Sequence, residues 1–254
     1  MVSIAGSKKL KRQMSPLFWG INRKNKRFAI TVRPGSHPKN SSFPTAILLR
    51  DVLNVVTTLR EAKSVIYGGK INVDGVIRKS LHHSVGLMDV VELQGVSDVY
   101  RLVPTPGHTL QPIKIETDEK SKKIVKVTSK TTIKGKKIQL GFHDGRTIIA
   151  ENNVNVGDSC LIQIPGQEIL DVIKLEKDSL VLVTRGVNTG KIGRINNITE
   201  ATFTLSKRIN LTIDKKKFEM PADLVIVIGK EKPVVKIQWY YVSANSKHYE
   251  ENFT

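Results

Sequence analysis

The chain has 254 residues, too many for one small unit, and ordinary domain sizes point to two or three modules. Hydrophobic residues at 39% with 25% charged exclude a disordered chain, and aromatics at only 6% exclude a large aromatic core in any module. Forty-one Lys and Arg against 23 Asp and Glu give a formal charge of +18, the electrostatic footprint of a nucleic-acid binder.

No acidic residue precedes Asp51, whereas Lys8, Lys9, Lys11, Arg12, Arg23, Lys24, Lys26 and Arg27 are spread along this arm, with Trp19, Phe18 and Phe28 between them. Pro16, Pro34, Gly35 and Pro38 prevent a long helix. An arm over 1–42 is therefore expected to order on a polyanion, its cations neutralising phosphates and its aromatics stacking or packing at the contact.

Helical spacing starts after Ser42: Pro44 suits a first turn, and Ile47, Leu48, Val52, Val55 and Val56 predict a helix ending near 54–57. Thr58-Leu-Arg-Glu61 has capping-box form and predicts a second helix, with Ala62, Val65 and Ile66 on its apolar side, Arg60 and Lys63 on the other, and Gly68-Gly69 as its stop. Asp74-Gly75, between two β-prone runs, predicts a tight hairpin. Helix, capped helix, glycine stop and hairpin in this order resemble the small RNA-binding domain named after bacterial small-subunit protein four, with Met88–Leu93 similar to its closing strand. The resemblance covers a module over 43–103 and implies a cationic face for structured RNA formed by Arg50, Arg60, Lys63, Lys70, Arg78 and Lys79.

Short β-prone runs at Ile113–Ile115, Ile124–Val127, Lys137–Leu140, Thr147–Ile149 and Cys160–Ile164, separated by Asp144-Gly145, Gly157-Asp158 and Pro165-Gly166, predict an antiparallel β module over 104–171. Lys120, Lys122, Lys123, Lys126, Lys130, Lys134, Lys136 and Lys137 make its first half basic. These lysines either bind RNA backbone or keep exposed strands from pairing edge to edge, and the sequence leaves both open.

In Leu180–Ile195 an apolar strand runs into a loop carrying Gly186, Gly190 and Gly193 beside Arg185, Asn188, Lys191 and Arg194, and out into a second strand. Glycine takes positive φ without cost and permits close backbone approach, so the loop is expected to offer amides and cations to phosphate. Its spacing resembles the KOW motif of ribosomal proteins and transcription elongation factors. With later strands at Thr202–Leu205, Leu211–Ile213 and Leu224–Ile228, the 172–235 module is expected to be a small SH3-like barrel, followed by a fraying tail over 236–254 led by Trp239, Tyr240 and Tyr241. The overall fold class is α+β and multidomain, mostly β.

Catalytic chemistry is not expected. His143-Asp144 lacks the further ligands of a metallohydrolase and reads as part of a hairpin; His82-His83 has no partner at metal-ligand spacing; His37 and His108 are isolated. Cys160, the only cysteine, lies in an apolar strand without an evident base, which excludes an intrachain disulfide and points to an inert thiol in a reducing compartment. No phosphate loop or dinucleotide fingerprint is present, so neither cofactor nor metal is expected. The longest apolar stretch, Leu224–Ile228, is far below the roughly 20 residues of a membrane span. No signal-peptide core follows the N-terminal charges, so a cytoplasmic location away from membranes is expected.

Taken in order, Lys9-Leu-Lys-Arg12 followed by a Trp, the capped-helix module, His143–Thr147, the glycine loop, and Leu224–Lys230 with Pro233 resemble the archaeal and eukaryotic small-subunit ribosomal proteins of the "S four e" family, from about Lys8 to Lys236. The resemblance implies a non-catalytic protein whose partners are ribosomal RNA of the small subunit and neighbouring small-subunit proteins, with no homo-oligomer. The ending Tyr249–Thr254, in place of a basic extension, favours the archaeal type. Two other classes share these modules: a KOW-bearing transcription factor and an RNA-modifying enzyme with a targeting domain.

Overall fold

In the computed structural model, which describes residues 10–22, 24, 27–106, 108–150, 153–214 and 216–237, short antiparallel strands dominate. Strands β1 (Leu10–Lys11) and β2 (Phe28–Ala29) pair and close the arm on itself. Strand β3 (Ser42–Pro44) leads into α1 (Thr45–Ile47), which widens into a π-helical turn over Leu48–Val52. The predicted first helix is thus shorter and wider than its spacing implied. The Leu53 amide bonds five residues back to Leu48 and the Val55 amide six back to Leu49, and Asn54 ends the turn at φ 52°. A wider turn rotates each residue less, so the consecutive Ile47, Leu48 and Leu49 can all be buried.

Helix α2 (Leu59–Tyr67) starts as its sequence predicts: the Glu61 amide donates to the Thr58 hydroxyl at 3.2 Å, and the Glu61 carboxylate accepts from the Thr58 and Thr57 amides. Gly69, at φ 72°, provides the left-handed stop. Strands β4 (Ile71–Val73) and β5 (Val76–Ile77) are joined through Asp74 and Gly75 at φ 52° and 74°, the primed turn expected of that pair. After β6 (Ser84–Gly86), which pairs with β3, come β7 (Val90–Leu93), β8 (Val99–Thr105) and β9 (His108–Ile115), giving a sheet of order β5-β4-β7-β8-β9. The expected module boundary at 103/104 therefore falls inside β8. Pairing of β8 with β9 from Val99↔Ile115 to Thr105↔His108 assigns Ile113–Ile115 to this first sheet and moves the boundary past Ile115.

The second sheet is organised by β10 (Lys122–Thr132), with β11 (Ile138–Phe142), β12 (Thr147–Ala150), β13 (Ser159–Gln163) and β14 (Ile169–Ile173) in the order β12-β11-β10-β13-β14. The proximal half of β10 pairs with β13 from Lys122↔Gln163 to Lys126↔Ser159. Its distal half pairs with β11, after a register shift between Val127 and Ser129. That irregularity redirects the strand.

The third sheet contains β15 (Leu180–Val183), β16 (Ile192–Thr199), β17 (Arg208–Ile213), β18 (Lys216–Pro221) and β19 (Val225–Gly229), ordered β18-β17-β16-β15-β19. Thr202–Leu205, expected as a strand, is instead an exposed turn closed by the Thr202 amide on the Leu205 carbonyl; alternation alone does not make a strand where no partner lies alongside.

The modules are not separate beads. One core cluster combines Met88, Val103 and Ile113 of the first unit with Ile124 and Leu161 of the second and Leu182 and Ile226 of the third. Sharing apolar area across sheets fixes their relative placement.

Candidate nucleic-acid interface

In the arm, Trp19 is fully buried; its Nε1 donates to the Ser42 carbonyl at 2.8 Å, and Phe18 bridges it edge-on to Phe43. Trp19 was expected to meet RNA. It is instead the bolt holding the arm to the first core, because a ring this large gains more from burial there than from solvent. Arg12 is corrected too: it is buried, and its Nη1 donates to the Asn22 carbonyl at 2.8 Å. Lys11, Lys24 and Arg27 face solvent, with the Arg27 guanidinium 5.4 Å from the Phe28 ring centroid. Lys8, Lys9, Arg23 and Lys26 lie outside the described residues, as does most of the 236–254 tail.

On the capped-helix unit, Arg60 and Lys63 are exposed on one face of α2, three residues apart, while Ala62 and Ile66 on the other are buried. Lys70 and Lys79 are exposed beside the helix stop, where a Cβ on Gly69 would lie 3.3 Å from the Lys79 Cε. Arg50 and Arg78 depart from that face. The Arg50 guanidinium is forked onto Asp51, with Nη2 2.7 Å from Oδ2, and lines with Arg12 a cleft of about 410 Å³ against the arm. Arg78 turns half inward and lines a cavity of about 300 Å³ beside Asp74, Asp89 and Asp144.

The glycine loop is tight for the expected reasons at two positions: Gly186 and Gly190 take φ 98° and 79°. A Cβ on Gly190 would overlap the backbone of Thr105 and Pro106, so the loop is docked on the corner between β8 and β9. Gly193 has no positive φ; it allows the close approach of Ile213. The amides of Thr189, Gly190 and Lys191 bond to Gly186, Val183 and Asn188 carbonyls, which corrects the expectation that they are offered to phosphate. Side chains remain: Arg185 and Arg194 are exposed, Asn188 and Lys191 half-buried.

Between the modules lies a cluster that sequence reasoning did not find. Lys123, fully buried, places its Nζ 2.7 Å from Asp74, 2.6 Å from Asp89 and 3.1 Å from Asp144. Arg146 closes the group at 2.6 Å from Asp74 and 3.1 Å from Asp144, and His37 donates to Asp89 at 3.1 Å. Burial would raise the Asp89 carboxyl, but His37 and Lys123 hold it well below its ordinary range. Burial would lower the Lys123 ammonium, but Asp89, Asp74 and Asp144 hold it above. Asp74 is pushed up by burial and by Asp89. His37, expected to be isolated, thus ties the arm to this junction, and His143-Asp144 forms the predicted hairpin turn with its carboxylate turned inward.

Lys126 is also buried, donating its Nζ to the Ala222 carbonyl at 2.7 Å; burial, with Arg185 opposing and Asp223 favouring the charge, lowers it to about 8. Neither Lys123 nor Lys126 is a surface lysine, contrary to their place in the expected basic run. A signal existed for Lys123, which shares its strand parity with Val125 and Val127, both apolar.

The Cys160 thiol is buried and raised to about 12 by burial, with Asp158 and Asp171 adding. Among the described residues no three His, Cys, Asp or Glu are disposed to hold a metal, and no helix is long and apolar enough to cross a membrane.

The RS4NT (NUC023) domain matches residues 5–40 and Ribosomal family S4e matches residues 96–169. The chain is 38% identical over 250 residues to the small ribosomal subunit protein eS4 of Ignicoccus hospitalis, covering 93% of this chain and 98% of that one. It is 40% identical over 239 residues to the eS4 of Methanothermobacter thermautotrophicus, at 93% and 98% coverage. The crystal structure of the 30S ribosomal protein S4e from Thermoplasma acidophilum superposes with a TM-score of 0.63 at 29% identity, covering 75% of this chain and 95% of that one. None of these relatives supports the transcription-factor or RNA-modifying alternatives, and the chain is not an enzyme. It belongs to the eS4 family of ribosomal proteins.

Proposed function

We propose that this protein is a structural constituent of the small ribosomal subunit that clamps ribosomal RNA through its phosphate backbone and so supports translation. The observation that carries the clamp is the arm: Trp19 bolts it to the first core while Lys11, Lys24 and Arg27 face solvent, in a stretch with no acidic residue before Asp51. A pinned arm loses little further entropy on binding, which favours it over a merely solubilising tail. Arg60, Lys63, Lys70 and Lys79 add a second cationic face, and Arg185, Lys191 and Arg194, with Asn188, a third. Lys8, Lys9, Arg23 and Lys26 extend the arm's contribution by sequence.

On this proposal the first unit acts as an RNA-binding domain of the bacterial protein-four type and the last as a KOW-bearing SH3-like barrel. Recognition is by shape, since phosphate contacts carry no base sequence. Neighbouring small-subunit proteins complete the partner set, within cytoplasmic ribosomes. Sedimentation through a sucrose gradient tests this. The protein should travel with small subunits at physiological and at high salt and be released by nuclease; travel with RNA polymerase, or failure to enter the gradient, would overturn it. Neutralising six to ten phosphates predicts a fall in affinity for an RNA fragment of about three to five orders of magnitude between about 50 and 200 mM salt.

A further inference from the structure

The hairpin between β10 and β11 ends in a tip over 133–137, beyond the last strand pair Thr132↔Ile138. Past the register shift at Val127 and Ser129, β10 pairs with β11, which in turn pairs with β12; Thr128, Ser129, Thr131 and Thr132 are exposed on β10, while Leu140, opposite Lys130, is buried. The tip is narrow, with the Ile133 amide bonded to the Lys137 carbonyl at 2.9 Å and Gly135 and Lys136 at φ 82° and 58°. Lys134, Lys136 and Lys137 crowd this tip, all exposed, and no Asp or Glu occurs between Glu119 and Asp144. Like charges held this close repel one another unless an anion lies between them.

The composition also says which anion. From Lys120 to Gly141 there is no aromatic residue and no arginine. Splayed single-stranded bases are held by stacking on aromatic or guanidinium planes, and this hairpin offers neither. Lysine presents a compact point charge that suits phosphate oxygens without reading bases. We infer that the Lys134–Lys137 tip is an additional RNA-binding element, which enters against the paired phosphate backbones of a helical RNA segment and recognises it by shape. This rests on the RNA-clamping function proposed above and adds a contact that the arm, the capped helix and the glycine loop do not make.

The test uses the full chain carrying Lys134→Gln, Lys136→Asn and Lys137→Gln together; asparagine tolerates the left-handed backbone at 136, so the turn is kept. Binding to a plain RNA duplex, to a single strand of equal length and to a poly-glutamate peptide is measured against salt. The variant should bind the duplex roughly tenfold to a hundredfold more weakly, with a salt slope shallower by about one per lysine. Its single-strand affinity should fall less. Unchanged duplex affinity and slope in this variant, while a variant with Arg60, Lys63 and Lys70 neutralised loses binding, would overturn the hairpin's role and leave the RNA clamp standing. Tighter binding of the wild-type tip to poly-glutamate than to duplex would also overturn it. A flat salt response in the wild type itself would instead remove the clamp. A second variant, with Lys134→Glu and Lys137→Glu alone, should exceed the first in its loss.

Discussion

Strand β10 and the hairpin tip that follows it put the same residue type to opposite uses. Before the register shift, Lys123 and Lys126 point into the protein, where three carboxylates and a carbonyl hold their ammonium groups. After it, Lys134, Lys136 and Lys137 stand in solvent at the end of a hairpin with no acidic residue nearby in sequence. A surface lysine costs little and contributes little to folding; a buried one costs several kcal/mol in desolvation and must be matched, charge for charge, by its surroundings. The hairpin therefore separates two jobs: Lys123 and Lys126 fasten modules together, and the lysines of the tip act at a distance from the core.

The sharpest way to break that contrast is Lys123→Met. Removing the one cation shared by Asp74, Asp89 and Asp144 leaves Arg146 and His37 facing three buried carboxylates. Breaking one partner of a buried pair costs about 3–5 kcal/mol, and the loss here should fall at the upper end. Chemical denaturation followed by tryptophan fluorescence would measure it, since Trp19 reports on the arm that His37 ties to the cluster. A change below about 1 kcal/mol would show that the junction is held by its shared apolar core alone.

Next in size is Gly190→Ala. The substitution puts a Cβ into the backbone of Thr105 and Pro106 at a positive φ, so the glycine loop must lift from the corner between β8 and β9. A cost of about 1–3 kcal/mol is expected, because neither backbone can yield as a side chain could. Gly186→Ala has the same φ problem without the collision and should cost less. Equal losses in thermal melts would mean that the loop is not docked.

Acid should act on the fastening half through His143. Its Nδ1 accepts the Lys126 amide at 3.1 Å, which requires a neutral ring, and burial with Lys123 nearby lowers it from 6.5 to about 4. The unfolded chain takes that proton near its ordinary value while the folded one refuses it until about 4, so stability is full above about 6.5 and declines as pH falls toward 4. Asp89, held below its ordinary range, extends the loss to still lower pH; Asp74, held above, offsets part of it by taking a proton earlier in the folded state. His143→Gln keeps an acceptor without titrating. Its stability should decline less over the same window, the remainder coming from His83, which burial and Arg78 also lower, and a decline as steep as in the wild type would assign the effect elsewhere.

What the sequence disclosed follows the range of each interaction. The capping box and the Asp74-Gly75 turn were legible because their partners lie within a few residues. The cluster was not, because Lys123 meets Asp74 and Asp89 across 49 and 34 residues, and a lysine in a basic run resembles every other lysine until its neighbours in space are known. Trp19 failed in the opposite sense: among cations it resembled a stacking platform, whereas its partner, the Ser42 carbonyl, lies 23 residues on. The hairpin between β8 and β9 crosses the expected boundary at 103/104, because its register is set by strand pairing and not by a local signal in the chain.

The smallest expected effect sharpens the contrast from the other side. Lys134→Met and Lys137→Met remove charge on a tip exposed to solvent. Substitutions of this kind usually lie within about 0.5 kcal/mol, and relief of repulsion between the tip lysines should make these slightly favourable. Measured in low salt, any gain should shrink as salt is added, because screening already removes exposed repulsion over a Debye length of about 10 Å at about 0.1 M. A loss comparable to that of Lys123→Met would mean that the tip folds back onto the body of the protein. The hairpin would then fail to divide fastening lysines from solvent-facing ones, and its tip would have to be counted as part of the core.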